Sequence, residues 1–311
     1  MASTRRLEEL RKQIDARTNT PSGPLLVALS GGADSAALVA LVVEGAPTRA
    51  VHVHHGLASS DRMEHAARSI ATQLNLRLEV ERTMVEPFSE SAARTERYRL
   101  LESALTDDEW LLTAHTRDDQ AETVLANLMR GSGSGGLAGI PARRGRIVRP
   151  FLHVSRSETR EFASLSGLPW CDDPQNEDLS YLRNRIRHWL LPTLEAEFNP
   201  GIRSALVAAA EAFSALSPEE PAGEHRDGGW KVPNSILWAA GAERAAAIVR
   251  ASLRRLYDGY GPDRAEVARI WDVVTGAATA TELTGGLRVY RQGPWLICTR
   301  SGGGRGPDSR R

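Results

Sequence analysis

The sequence predicts an α/β protein, a doubly wound parallel sheet with a second, smaller, mainly helical domain. Three observations predict it. Apolar runs of strand length alternate with helix-period stretches through the first part of the chain. A Gly turn, SGGADS (Ser30 to Ser35), follows the first apolar run and opens directly into a helical pattern. The residues able to do chemistry, at Ser30–Ser35, His54–Leu57 and His115–Asp119, all come just after strand candidates, at the carboxyl ends where open α/β sheets bind ligands.

In chain order, residues 5–17 read as an exposed helix of mixed charge. Strands are expected at Leu25–Leu29, Arg49–Val53, Arg77–Val80 and Trp110–Ala114, with helices at Ser35–Glu44, Asp61–Leu74 and Ser91–Ala104 between them. Beyond Ile140, PARRGRIVRPFL reads as a connection with a short strand; helices follow at Ser157–Ser166 and Tyr181–Glu197. The NPG near Phe198 stops that pattern, and a further helical region runs to about Leu216. This gives a first domain over 1–216 and a linker over 217–229, where Pro, Gly and charge concentrate. A small domain over 230–300 then has helices at Glu243–Tyr257 and Arg264–Thr275 and a hairpin of Leu287–Arg291 with Trp295–Thr299. The tail, 301–311, is expected to be disordered.

Composition narrows the class. A chain of 311 residues, 41% hydrophobic, buries one sizeable core and a smaller one. No apolar run reaches the length of a membrane span. MASTRRLEELRKQ has charges with no apolar stretch after them, so no signal peptide is expected and the cytoplasm is the expected compartment. Two cysteines, Cys171 and Cys298, are too few for a disulfide framework and too far apart for a metal or redox motif. Formal net charge is zero, so a nucleic-acid partner has to be met by a local basic surface. His52, His54 and His55 alternate across a strand, which sets His55 apart from the other two and argues against a shared ion. Of Trp230, Trp238, Trp271 and Trp295, all but one at most are expected in the core.

The Ser30–Ser35 turn, at the start of a helix with unpaired N–H groups, is an anion site by its local physics. The only lysines are Lys12 and Lys231, so the turn is no lysine-bearing P-loop; adjacent Gly31 and Gly32 also fail the dinucleotide G-x-G-x-x-G spacing. SGGADS after a buried strand instead resembles the pyrophosphatase loop of the N-type ATP pyrophosphatases. That resemblance implies cleavage of ATP between its α- and β-phosphates, with Ser30, Gly31, Gly32, Ala33, Asp34 and Ser35 around the phosphates and Asp34 as the acid that helps hold magnesium.

A second block, AHTRDDQAETVLANLMRGSGSGGLAGI, places His115, Asp119 and Glu122 at i, i+4 and i+7 if a helix begins near Thr116. One base and two acids then share a face, with Ala121, Leu125 and Leu128 as the buried stripe. Together with ESAARTERYRLL and DDPQNEDLSYLRNRIRHWLLPTLEAEFNPG, these elements resemble the tRNA(Ile)-lysidine synthases from about Leu25 to Gly201. The C-terminal hairpin, GGLRVYRQG, is similar to that family's small second domain, and the further C-terminal domain of longer members is not expected here. The resemblance implies a reaction in which ATP adenylylates the C2 oxygen of the wobble cytidine in the CAU anticodon of an isoleucine tRNA, and the L-lysine ε-amine then displaces AMP. By motif it implies catalytic roles for Asp34, His115, Asp119 and Glu122, Glu122 being the carboxylate expected to hold the lysine. Arg183 and Arg187, at i, i+4, form a face able to grip tRNA phosphates or ATP. The small domain is expected to bind tRNA, and a homodimer is an open form of the assembly. His54 stands where the family shows Asn, and Ala58 where an Arg follows the Leu. Two other readings stay open: a cytidine thiolase of the same superfamily, whose chemistry calls for paired cysteines or an iron–sulfur cluster, and a degenerate tRNA-binding module, against which the intact SGGADS argues.

Overall fold

Strand β1 (Leu25–Ala28) is apolar throughout, and Leu25, Leu26 and Val27 are fully buried, because both faces of its sheet are covered. The computed structural model describes residues 2–57, 59–84, 90–216, 222–226, 229–254, 256–257 and 261–300, and the chain divides into two compact units. The first unit comprises Met1–Ala126 and Gly139–Ala210. In it β1 pairs in parallel with β2 (Thr48–His54) on one side and β4 (Trp110–Leu112) on the other. The sheet continues through β3 (Leu78–Arg82) beyond β2, and through β6 (Ile147–Val148) and the antiparallel edge strand β5 (Arg143–Arg144) beyond β4. The order β3-β2-β1-β4-β6-β5 reverses direction at β1. A crevice between the loops after β1 and β4 follows from that reversal.

Side chains of β1 alternate between two cores. Leu25, Val27 and Leu29 pack with α1 (Ala2–Asp15), α2 (Ala33–Val42), α3 (Ser60–Gln73) and α7 (Arg156–Leu165), through Leu10, Leu38, Ile70 and Phe162. Leu26 packs the opposite way with Val51, Leu111 and the α4 (Glu90–Ser103) side chains Tyr98 and Leu101. Helix α2 is buried nearly all round, which explains its Ala, Leu and Val composition without a polar stripe.

The helix α5 (Arg117–Met129) packs through Ala121 and Leu125 against Ile186 and Leu191. Leu128, expected in that stripe, is 54% exposed. The helix expected at Tyr181–Glu197 is interrupted: α8 (Leu182–Arg185) passes through one π turn (Ile186–Leu190) into α9 (Leu191–Glu197). Pro192 accounts for the widening, since it has no N–H to donate and its ring crowds the carbonyl four residues back. Helix α10 (Ile202–Leu216) follows.

The second unit comprises Asn127–Ala138 and Glu211–Arg311. It holds the short α6 (Ser134–Leu137), α11 (Asn234–Leu253) and α12 (Arg264–Thr275). The expected terminal hairpin is part of a five-stranded antiparallel sheet, so this unit is mixed α and β rather than mainly helical. Strands β7 (Glu224–Arg226), β8 (Gly229–Pro233), β9 (Ala280–Leu283), β10 (Leu287–Gln292) and β11 (Trp295–Arg300) run in the order β7-β8-β11-β10-β9. Trp230, Leu253, Ile270, Val289 and Leu296 form its core. Strand β7 and the start of β8 fall within the expected linker 217–229; residues 217–221, 227–228 and the expected tail lie outside the described residues. Helix α11 begins well before the expected Glu243, with a break at Gly241 (φ 73°).

Candidate active site

The turn after β1 is built around Gly31, at φ 91°; a Cβ there would lie 2.3 Å from the Met63 carbonyl oxygen, so no other residue fits. Ser35 Oγ donates to the Gly32 carbonyl at 2.9 Å and accepts from the Ser30 N–H at 3.2 Å, while the Ser30 hydroxyl accepts from the Gly32 N–H at 3.3 Å. The Cys171 N–H braces the turn by donating to the Gly31 carbonyl at 3.0 Å. Gly32 is the N-cap of α2 and supplies no side-chain cap, so the first N–H groups of the helix stay directed at an incoming anion.

The loop after β4 carries His115, whose Nδ1 lies 3.0 Å from Thr113 Oγ1, while its Nε2 has no hydrogen-bond partner among the described residues. Burial, then the positive charge of Arg149, holds this imidazole well below its ordinary range, so it is neutral at pH 7. Thr116 caps α5: its N–H and Oγ1–H donate to Asp119 Oδ2 at 2.8 and 2.9 Å, and the Asp119 N–H returns to Thr116 Oγ1 at 3.3 Å. One Asp119 oxygen therefore works as a helix cap.

The other oxygen joins an ionic cluster. Asp119 Oδ1 accepts from Arg156 at 2.8 Å and Arg183 at 2.9 Å, with Arg187 at 3.5 Å. Glu122, wholly shielded from solvent, accepts from Arg156 Nη1 at 3.0 Å, Arg183 Nε at 2.9 Å, and Arg187 Nε and Nη2 at 2.8 and 3.0 Å. Burial and the neighbouring Asp119 push the Glu122 carboxyl up, but the three guanidiniums outweigh them and hold it below its ordinary range. The i, i+4 pair Arg183 and Arg187 thus shares a face as expected, and that face turns inward onto the acids of α5. Arg156 also lies 3.8 Å from Asp34 and links the phosphate turn to the same cluster.

Asp34, at the first turn of α2, accepts a hydrogen bond from Thr159 Oγ1. Burial, and next the charge of Asp119, raises its carboxyl to about 6. Among the described residues no group of three or more His, Cys, Asp or Glu converges on one point, so a metal here would draw its remaining ligands from phosphate oxygens and water. Asp34 fits that role: it stands beside the anion turn, close to a second carboxylate, where a cation relieves the repulsion.

Ser30, Gly32, Ala33, Asp34, Ser35, His115, Asp119, Arg183 and Arg187 line a single cleft of about 830 Å³ in the first unit, within the range of small-molecule sites. Gly31 stands behind the turn, and Glu122 lies beneath the arginines. Sequence reasoning assigned no roles to three further lining residues, Arg97, Tyr98 and Arg156. Tyr98 lies among Arg94, Arg97, Arg144 and Arg149, with ring distances of 4.9–5.9 Å; burial pushes its hydroxyl up, yet Arg149, Arg94 and Arg97 bring it down to about 8. For Arg156 the usable signal was Ser155-x-x-Glu158, a capping box that fixes the start of α7 and turns Arg156 to its first position.

The three histidines of β2 and the following loop do not converge on one point. His52 Nδ1 is 2.9 Å from the Leu29 carbonyl, His54 Nε2 is 3.0 Å from Asp61, and His55 faces the cleft, held down to about 4 mainly by burial. Ala58 lies outside the described residues.

A family model for the PP-loop domain matches residues 2–194. A tRNA(Ile)-lysidine synthase of Salinispora arenicola is 37% identical over 307 residues, covering 89% of this chain and 91% of that protein. Others, from Leifsonia xyli and Pseudomonas fluorescens, are 45% and 41% identical over 203 and 181 residues; the chain covers 61% and 41% of their lengths. Among solved structures, the U34-tRNA thiolase NcsA of Methanococcus maripaludis, with its iron–sulfur cluster, superposes with a TM-score of 0.58 at 16% identity, over 68% of this chain and 81% of that one. That likeness concerns the fold. Sequence, phosphate turn and sheet order agree, and the chain belongs to the PP-loop domain family and, within it, to the tRNA(Ile)-lysidine synthases.

Proposed function

We propose that this protein ligates free L-lysine to C2 of the wobble cytidine in the CAU anticodon of an isoleucine tRNA, consuming ATP and releasing AMP and pyrophosphate. The observation that carries the reading is the shared cleft: an anion turn without a lysine and a neutral histidine open at Nε2 stand at adjacent strand ends. In the first half-reaction the cytidine C2 oxygen attacks the α-phosphorus of ATP and pyrophosphate leaves. The turn's N–H groups and hydroxyls hold the departing phosphates, and Arg156, Arg183 and Arg187 supply positive charge from the cleft wall. Magnesium, held by Asp34 with phosphate oxygens, would neutralise phosphate charge.

In the second half-reaction the lysine ε-amine attacks C2 and AMP leaves. An amine with an ordinary pKa of about 10.4 must first lose a proton, and the unprotonated His115 can accept it at Nε2. Asp119 and Glu122 set the negative field beneath this position, and their immediate partners are the three arginines. In this reading they orient the guanidiniums first, and a substrate ammonium joins the same network.

The thiolase alternative has less support. Burial pushes the Cys298 thiol up to about 12, within the core of the second unit, and Cys171 is also raised. Neither is an activated sulfur carrier. No helix among the described residues is long and apolar enough to cross a membrane. The deciding experiment incubates the protein with CAU-anticodon isoleucine tRNA, ATP and labelled lysine, followed by nucleoside mass spectrometry and separation of the nucleotide products. Lysidine with stoichiometric AMP is expected. ADP as the tRNA-dependent product, or, in a parallel incubation with sulfide in place of lysine, a sulfur-bearing nucleoside, would overturn the assignment.

A further inference from the structure

The second unit leaves an aromatic surface open. Trp271, on α12, is half-buried and packs against the core of that unit. Trp238, on the first segment of α11, lies nearly parallel to it, with ring centroids 6.4 Å apart and planes inclined by 14°. Trp238 is itself 59% exposed, and Ile236, two residues earlier, is 43% exposed. Burying an indole is among the largest apolar gains open to a fold. Here one indole is anchored and holds the second in a fixed orientation with much of its surface in water. The other tryptophans differ: Trp230 is in the core and donates to the Ala222 carbonyl at 2.7 Å, and Trp295 lies 4.7 Å beneath the Lys231 ammonium.

Charge favours an anionic occupant. The second unit contains fifteen Lys and Arg against twelve Asp and Glu, whereas the whole chain balances 39 against 39. An aromatic face on a unit of net positive charge suits a base with a phosphate backbone better than an apolar protein partner. We infer that Trp238, held by Trp271, is a stacking platform for an unpaired base of the RNA substrate, a contact that adds affinity without reading sequence. The inference rests on the tRNA-directed reading of the cleft and extends it to a surface that reading does not use.

The test compares wild type, Trp238→Ala and Trp238→Phe for binding to CAU-anticodon isoleucine tRNA by filter binding across a salt series. Trp238→Ala should weaken binding by about tenfold to a hundredfold, the range for one lost base stack. Trp238→Phe should restore most of it. The slope of log affinity against log salt should stay the same in all three, since no phosphate contact is lost. Wild-type affinity in Trp238→Ala, or a slope reduced in step with affinity, would overturn the platform. A shift from dimer to monomer in Trp238→Ala by analytical ultracentrifugation, with tRNA affinity unchanged, would assign the surface to a second copy of the chain and overturn it too. Absence of tRNA binding by the wild type would instead be a failure of the underlying reading, and the inference would fall with it.

Discussion

Replacing Glu122 by Gln separates the role expected from sequence from the role its surroundings give it. The carboxylate has no solvent exposure and accepts four hydrogen bonds from three arginines, whose side chains are only 17–28% exposed. Glutamine preserves the shape and one acceptor oxygen but turns an NH2 group toward guanidiniums that can only donate. Breaking a buried ion pair from one side costs about 3–5 kcal/mol, because the remaining charge stays buried without its partner. With one acceptor retained and Asp119 still present, a loss of about 3 kcal/mol is expected. For a unit of this size that lowers the melting temperature by about 6–12 °C. Scanning calorimetry measures the first consequence. Rapid-quench assays of tRNA adenylylation with and without lysine measure the second, and both half-reactions should slow, since Arg156, Arg183 and Arg187 lose their common anchor. An unchanged melting temperature with normal adenylylation and a selective loss of lysine use would refute this reasoning and make Glu122 the holder of the substrate amine.

Arg187→Ala should impair adenylylation while leaving the salt slope of tRNA binding unchanged, because its guanidinium faces Glu122 and the cleft; a slope reduced by about one unit would place it on a tRNA phosphate instead. Gly31→Ala should abolish ATP turnover and lower thermal stability, since the added methyl meets the Met63 carbonyl at 2.3 Å in a left-handed backbone; normal turnover would show the turn to be adaptable. Arg49 grips Glu109 through two hydrogen bonds of 2.6 Å and lowers its carboxyl from 4.5 to about 2. A carboxyl depressed on folding stabilises above its unfolded pKa and loses that contribution as pH falls through the folded one. The stability gap between wild type and Glu109→Gln, about 2–3 kcal/mol at pH 7, should therefore close between pH ~4.5 and pH ~2. A gap independent of pH in urea titrations would contradict it.

What the sequence made legible was what depends on neighbours along the chain. Helix Arg264–Thr275 is found as expected, because Asp263 and Glu266 form a capping box and Gly276 ends the helix in the left-handed region. The phosphate turn was legible for the same reason: adjacent glycines, serine and aspartate define a turn whose geometry they largely set themselves. The inward direction of Arg183 and Arg187 was not, because it depends on Glu122, 61 and 65 residues away in sequence, and helical spacing says which residues share a face without saying what that face meets. The short strands β7 and β9 contain Glu, His and Thr and carry no apolar alternation; β-ladder pairing with β8 and β10 makes them strands. Gly241 hid the start of α11, since a residue at φ 73° breaks the helical period while the chain resumes it beyond.

The segment Asn127–Ala138 leaves the far end of α5 and belongs to the second unit, although more than seventy residues of the first unit follow before the chain returns. Within the second unit it meets α11: the Gly135 carbonyl accepts from Arg254 at 3.2 Å, and a Cβ on Gly133 would lie 2.7 Å from the Arg250 guanidinium. The unit is therefore discontinuous in the gene as well as in the chain, and no single cut yields it whole. A truncation at Leu216 would leave the glycine segment without the arginines it rests on, and the released C-terminal piece would lack the loop that covers them. Exchange of this part between relatives by one crossover should fail for the same reason, whereas a two-point exchange that carries residues 127–138 along should give a folded protein.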